Sequence, residues 1–218
     1  MEPPPSERTK VRRLPDRGVY ERDVIEAILD EALYCHVAVV VDDAPRVVPT
    51  IHARDGDTLY IHGSNASRTL RALKEGSEAC IVVTLLDGLV LARSGFNSSM
   101  NYRSVVVYGR MREVTDPAEK ERAQRVLVDH VIPGRSADVR LPTERELRQT
   151  TIMAIGLDEV SAKVRSGPPK DEEDDYALPI WAGVVPVRTV AGDPEPDPKL
   201  DLAIPAPPYV RGLPRPGR

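Results

Sequence analysis

Apolar residues recur along this chain with two spacings, and the change from one to the other divides it into elements. In "RDVIEAILDEAL", residues 22–33, Val24, Ile25, Ile28 and Leu29 fall at helical intervals, and Asp23 with Glu26 predicts a capping box. "YCHVAVVVDD" (34–43) and "RVVPTIHARDGDTLYIHG" (46–63) are β-branched runs parted by the turn signals "DDAP" and "RDGD", and the Asp-Gly pair predicts a hairpin. Pro49 lies inside the second run. Proline cannot donate to a ladder, so that strand must be an edge or bulged there. "SNASRTLRALKEG" (64–76) reads as a short helix ending at Gly76. "EACIVVTLLDGLVLAR" (78–93) reads as two strands broken at Asp87-Gly88, and "MNYRSVVVYGRMREV" (100–114) as one long strand.

Asp116, Pro117 and Glu119 sign the start of a helix over 116–132, and 143–150 predicts another short one. Residues 151–167 return to strand, "DEEDD" (171–175) reads as a solvated acidic loop, and 180–190 as the last ordered strand. Strands joined by short turns, with few crossover helices, argue against a doubly wound sheet. They predict a closed or nearly closed β-barrel with helices packed outside. Residues 1–18 are Pro-rich and charged and are expected to be flexible. Residues 19–192 form the domain. Residues 193–218 are expected to be a disordered, dispensable Pro-rich tail.

Composition narrows the partners. A formal charge of −4 over 218 residues carries no basic excess, which argues against nucleic acid. No apolar run approaches the ~20 residues needed to span a bilayer, and the N-terminus has no signal-like apolar stretch. The two cysteines, Cys35 and Cys80, lie in apolar runs without metal spacing and read as thiols of a reducing compartment, so the protein is expected in the cytoplasm with no membrane partner.

"LYIHGSNASRTL", residues 59–70, passes from strand to helix through Gly63, Ser64, Ser67 and Arg68. A helix start leaves N–H groups unpaired, glycine permits close approach, hydroxyls donate, and a guanidinium suits phosphate, so the corner fits an anion. A plain capped surface helix accounts for the same residues. His52 and His62 flank the hairpin and are expected to lie near each other; without a third ligand they make at most a weak zinc site, and a structural or cofactor-contacting role fits them better. His36 reads as a core histidine, and His130 as a cation late in a helix. There is no nucleophile elbow, P-loop or Gly-x-Gly-x-x-Gly, so any chemistry belongs to a cofactor.

"RVVPTIHARDGDTLYIHGSNASRTLRAL", "NYRSVVVYG" and "SAKVRSGPP" with "DDYALPIWAGVVP" resemble the pyridoxamine 5′-phosphate oxidase-like superfamily, in particular its flavin-nucleotide-binding branch that includes the Nim nitroimidazole-resistance proteins. The resemblance implies a mainly β fold, an antiparallel Greek-key split β-barrel with flanking helices, that forms a homodimer and binds FMN between subunits. It places the FMN phosphate at Gly63, Ser64, Ser67 and Arg68, the ribityl chain along Ile61 and His62, and the isoalloxazine beside the backbone of Val48, Pro49, Thr50 and Ile51. Arg103 and Ser104 would reach the flavin from the partner, Ser104 standing where the oxidases carry a Gln. His62 looks like the histidine linked to activity in the Nim branch, and is the expected catalytic residue. His52 stands in place of the oxidases' lysine and "SRT" in place of "SRK", which argues against vitamin B6 oxidation. The implied function is an FMN-dependent oxidoreductase reducing a small nitroaromatic or quinone acceptor. The alternatives are a non-enzymatic flavin or haem sensor dimer and a deazaflavin reductase.

Overall fold

The computed structural model describes residues 2–140, 142–201 and 203–210. Ten strands form one antiparallel sheet: β1 (Gly18–Val19), β2 (Tyr34–Val41), β3 (Ala44–Asp55), β4 (Thr58–Ser64), β5 (Glu78–Leu91), β6 (Ser99–Arg110), β7 (Arg112–Glu113), β8 (Thr150–Gly156), β9 (Val160–Arg165) and β10 (Gly183–Pro186). The order is β1-β9-β6-β5-β2-β3-β4-β8-β7, with β10 on β5. β7 follows β6 after one residue, so one stretch of chain pairs near one end of the order as β6 and at the other end as β7. The sheet therefore curls shut, and the result is the split β-barrel. Four helices lie outside it: α1 (Arg22–Glu31), α2 (Arg68–Lys74), α3 (Pro117–Val131) and α4 (Glu144–Gln149).

Alternation along the strands sorts the two faces. Cys35, Val37 and Val39 of β2, Leu59 and Ile61 of β4, and Ile81 and Val83 of β5 are all buried in the main core, where Ile25, Ile28 and Leu29 of α1 join them. A second cluster lies on the opposite face of β3, β4 and β8. There Ala53, Tyr60 and Ile152 meet Ala123 and Leu127 of α3. The hairpin places Tyr60 and His62 on this outer side and Ile61 on the inner one, because successive side chains alternate.

β3 changes partners along its length. Residues 44–51 pair with β2, in register from Val41↔Ala44 to Tyr34↔Ile51, and residues 52–55 pair with β4. Among the described residues its far edge carries no strand over 44–51, which is how Pro49 fits within it. The outward face of the β2–β3 ladder is apolar and open: Tyr34, Val40 and Val47 are each more than half exposed, at 56, 59 and 59 %, and Ile51 is 37 % exposed. His36 belongs to this exposed face, with its ring edge against Tyr34 at 5.7 Å, so it is not a core histidine.

Several expected boundaries move. β5 is one strand, not two; Asp87-Gly88 makes a register shift against β6 instead of a break, and Gly88 pairs with Pro186 of β10. The long strand expected over 100–114 ends at Arg110, and the run over 151–167 folds back on itself as β8 and β9. α1 starts at Arg22 with Glu21 in the capping position and no side-chain cap, so Asp23 and Glu26 form no box. α3 starts as expected, with the Asp116 carboxylate accepting from the Glu119 N–H at 2.8 Å, but the Glu119 side chain goes to Arg112 and Tyr60. In the acidic loop, Asp171 has a side chain 0 % exposed and binds both the N–H and the guanidinium of Arg93.

The segment before Gly18 lies against the barrel. Thr9 is buried, Arg8 pairs with Glu78 and Glu159, and β1 pairs with β9. In the C-terminal segment the Tyr209 hydroxyl donates to Asp138 at 2.6 Å and accepts from Arg135 at 3.0 Å. Residues 211–218 of the expected tail lie outside the described residues. Among the described residues no helix is long and apolar enough to cross a membrane.

Candidate functional site

The strand-to-helix corner opens α2, and Ser67 caps it, its hydroxyl oxygen accepting from the Leu70 N–H at 3.3 Å. Arg68 is therefore the first helical residue. Its guanidinium reaches Asp42 at 2.9 Å, in the turn between β2 and β3, and this sets the corner beside the unpaired edge of β3. The two side chains are 54 and 80 % exposed, so the pair is a weak surface bridge that an anion could displace. Ser64 is exposed and its hydroxyl oxygen accepts from the Ala66 N–H. A Cβ on Gly63 would come within 2.9 Å of a Leu70 methyl carbon, so glycine is what lets α2 pack down onto β4.

The structure brings Val48–Ile51, Ile61–Ser64, Ser67 and Arg68 into one region. Val48 and Ile61 face the core, Pro49 and Ile51 face out, and the Thr50 hydroxyl is 3.5 Å from the His62 carbonyl oxygen. Arg103 and Ser104 lie elsewhere in the same chain, on β6, two strands beyond the β2–β3 ladder. Arg103 is held by two carboxylates: Nη2 donates to Glu31 at 2.8 Å and to Asp87 at 2.7 Å, which pushes its pKa further up. The Ser104 hydroxyl donates to the Lys163 carbonyl at 3.3 Å.

The histidines separate into two kinds. His52 and His62 do not meet. His52 is fully buried, with Nε2 2.9 Å from the Leu29 carbonyl and its ring 4.9 Å from that of His130, whose own Nε2 lies 2.8 Å from the Ala32 carbonyl. Burial pushes the His52 pKa down to about 4; the neighbouring His130 lowers it further, and the Leu29 carbonyl and Asp30 oppose the change. His62 points to the other side of β4. Its pKa is lowered by burial alone, and its Nδ1 is buried without a hydrogen-bond partner.

His62 lines a cavity of about 630 Å³ between β4 and α3, within the size range of small-molecule sites. Leu127, Val128, Val131 and Ile132 form its helical wall, and Ile51 faces it from β3. Gln124 lines it too, and its Oε1 is a second buried atom without a partner. Arg125 and Arg135 stand at this cavity, together with the carboxylates of Glu121 and Glu146. The sequence reading missed the cavity, because nothing local in 117–139 announces where that helix docks. A second hollow, of about 480 Å³, is lined by Glu31 and Asp87, the partners of Arg103, and by Tyr34 and Leu86.

The profile of the pyridoxamine 5′-phosphate oxidase family matches residues 21–164. The flavocytochrome Anf3 from Azotobacter vinelandii is 41 % identical, superposes with a TM-score of 0.90, and the match covers 95 % of this chain and 96 % of that one. An FAD- and haem-binding protein from Mycobacterium smegmatis is 40 % identical with a TM-score of 0.86, over 90 and 97 % of the two chains. A candidate 5-nitroimidazole antibiotic resistance protein from Bacteroides thetaiotaomicron, 24 % identical with a TM-score of 0.57 over 67 and 86 % of the chains, shares the fold. No curated protein matches the chain.

Proposed function

The chain belongs to the pyridoxamine 5′-phosphate oxidase family, and we propose that it is an oxidoreductase of the flavocytochrome kind, binding a flavin and a haem in a homodimer. One observation carries the reading: at about 40 % identity over nearly its whole length it resembles a flavocytochrome and an FAD- and haem-binding protein. A flavin takes up electrons in pairs and can release them one at a time, and a haem accepts them singly, so the two together suit electron transfer from a two-electron donor to a small acceptor. Nitroaromatics and quinones are the acceptor classes to try first.

The flavin is assigned to the strip along the open edge of β3, with its inner phosphate on Ser67 and Arg68. FMN and FAD present that phosphate alike. The name of the M. smegmatis relative favours FAD over the FMN expected from sequence. The homodimer is supported by the exposed apolar face of β2 and β3, which in a chain this charged calls for a cover. A second copy supplies one, and would bring Arg103 and Ser104 toward the strip. The two unpaired cysteines support a reducing, cytoplasmic setting.

The test is the absorption spectrum of the purified protein before and after reduction, with analysis of the released cofactors. Flavin bands together with a Soret band, and FAD in the extract, are expected. Flavin without a Soret band overturns the haem half of the proposal, and a colourless protein that takes up neither cofactor overturns all of it.

A further inference from the structure

Resting on the flavocytochrome reading, we propose that the cavity between β4 and α3 is the haem site, with His62 as an iron ligand and Arg125 and Arg135 as partners of the propionates. A haem is a flat apolar plate with a metal at its centre and two carboxylates on one edge. The cavity offers the matching parts. Its wall is aliphatic, from Leu127, Val128 and Val131 on the helix and Ile51 on β3, and one imidazole reaches it from β4.

Two buried polar atoms of this cavity, His62 Nδ1 and Gln124 Oε1, have no partner among the described residues. Buried polar groups are rarely left unpaired, so two in one cavity mark a place that a ligand completes. Among the described residues neither ring nitrogen of His62 forms a hydrogen bond. Of the four histidines, His62 is the one that lines this cavity. Histidine is a common haem ligand, and His62 brings into this apolar cavity an imidazole that forms no hydrogen bond among the described residues.

The charges also fit. Arg125 binds Glu121 through Nε and Nη2, and Arg135 binds the Tyr209 hydroxyl through Nη1. A guanidinium carries five N–H donors, so both keep donors for a carboxylate. Glu146 is already bound to Arg140.

The experiment titrates haemin into the full-length chain, comparing wild type with His62→Ala, His36→Ala and Val128→Trp, while circular dichroism follows the fold. Wild type and His36→Ala are expected to take up one haem per chain with the same Soret band. His62→Ala should bind about tenfold or more weakly, with a shifted Soret band that added imidazole restores. Val128→Trp keeps the ligand but fills the cavity, and should lose haem with an unchanged dichroism spectrum. An unaltered Soret band and affinity in His62→Ala overturns the assignment. So does loss in His36→Ala alone, or loss of flavin but not haem in Val128→Trp. Failure of the wild type itself to bind haem overturns the flavocytochrome reading, and is distinguishable because it precedes any substitution.

Discussion

Replacing Arg68 with alanine separates cofactor binding from stability more cleanly than any other single change at the strip. Among the described residues the only partner of Arg68 is Asp42, at 2.9 Å, and both side chains are more than half exposed. Exposed pairs contribute about 0–1 kcal/mol, so the fold should lose little, and in a chain of this length the melting temperature should fall by no more than about 2–4 °C. The bound flavin should lose much more. A hydrogen bond to a charged group is worth about 1.5–3 kcal/mol, which is roughly ten- to a hundredfold in affinity. Riboflavin has no phosphate and should bind almost as well as before. Arg68→Lys should recover part of the loss, since an ammonium cannot form a bidentate fork. Asp42→Ala removes the competing carboxylate and should leave flavin binding unchanged or slightly tighter. Arg71→Ala, one turn further from the corner, should matter less. The assay is titration of apo-protein with FAD, FMN and riboflavin, followed by flavin fluorescence. If Arg68→Ala weakens all three equally, or none, Arg68 does not hold the phosphate and the corner is only a capped helix.

Further outcomes follow from other places in the fold. His52 is held neutral in the folded chain with a pKa of about 4 against 6.5 when exposed, so the unfolded chain takes its proton first. Stability should be full above pH 6.5 and fall as the pH drops from there toward 4, by about 3 kcal/mol in all; urea midpoints measured across this window should flatten in His52→Gln, and an unchanged slope would show that another group is responsible. Gly88→Val places a side chain 3.0 Å from Val184 and 3.2 Å from the Val185 carbonyl; it should cost about 1–3 kcal/mol and speed trypsin cleavage at Arg188, whereas wild-type resistance would mean β10 yields easily. Val47→Glu puts a charge on the open face of β3 and should turn a dimer into a monomer by light scattering, and a dimer that survives it uses some other surface.

Elements with a chemical signature at their own ends were legible. Asp116 and Pro117 open α3, and Asp-Gly turns the β3–β4 hairpin, because caps and tight turns are decided by neighbours in sequence. The β5 strand was read as broken since Asp87-Gly88 looks the same in a turn as in a register shift. Only the partners, β6 and β10, distinguish the two. His36 was misplaced for a related reason. β2 is apolar on both faces, so alternation alone could not say which face is enclosed. The strand-to-helix corner at Gly63–Arg68 was visible as a motif. The cavity beside it was not, because it arises where α3 lies across β3 and β4, elements more than fifty residues away along the chain.

Ile51 stands on the open outer face, opposite Tyr34, and also in the wall of the cavity. In the proposed dimer, a side chain common to both surfaces would link filling one to covering the other. A second copy that covers Ile51 firms the wall against which the cofactor packs, so loaded chains should associate more tightly than empty ones. Reciprocity then requires dilution to loosen the cofactor by the same factor. In the proposed flavocytochrome dimer, dilution would therefore leave the protein both single and poorly loaded.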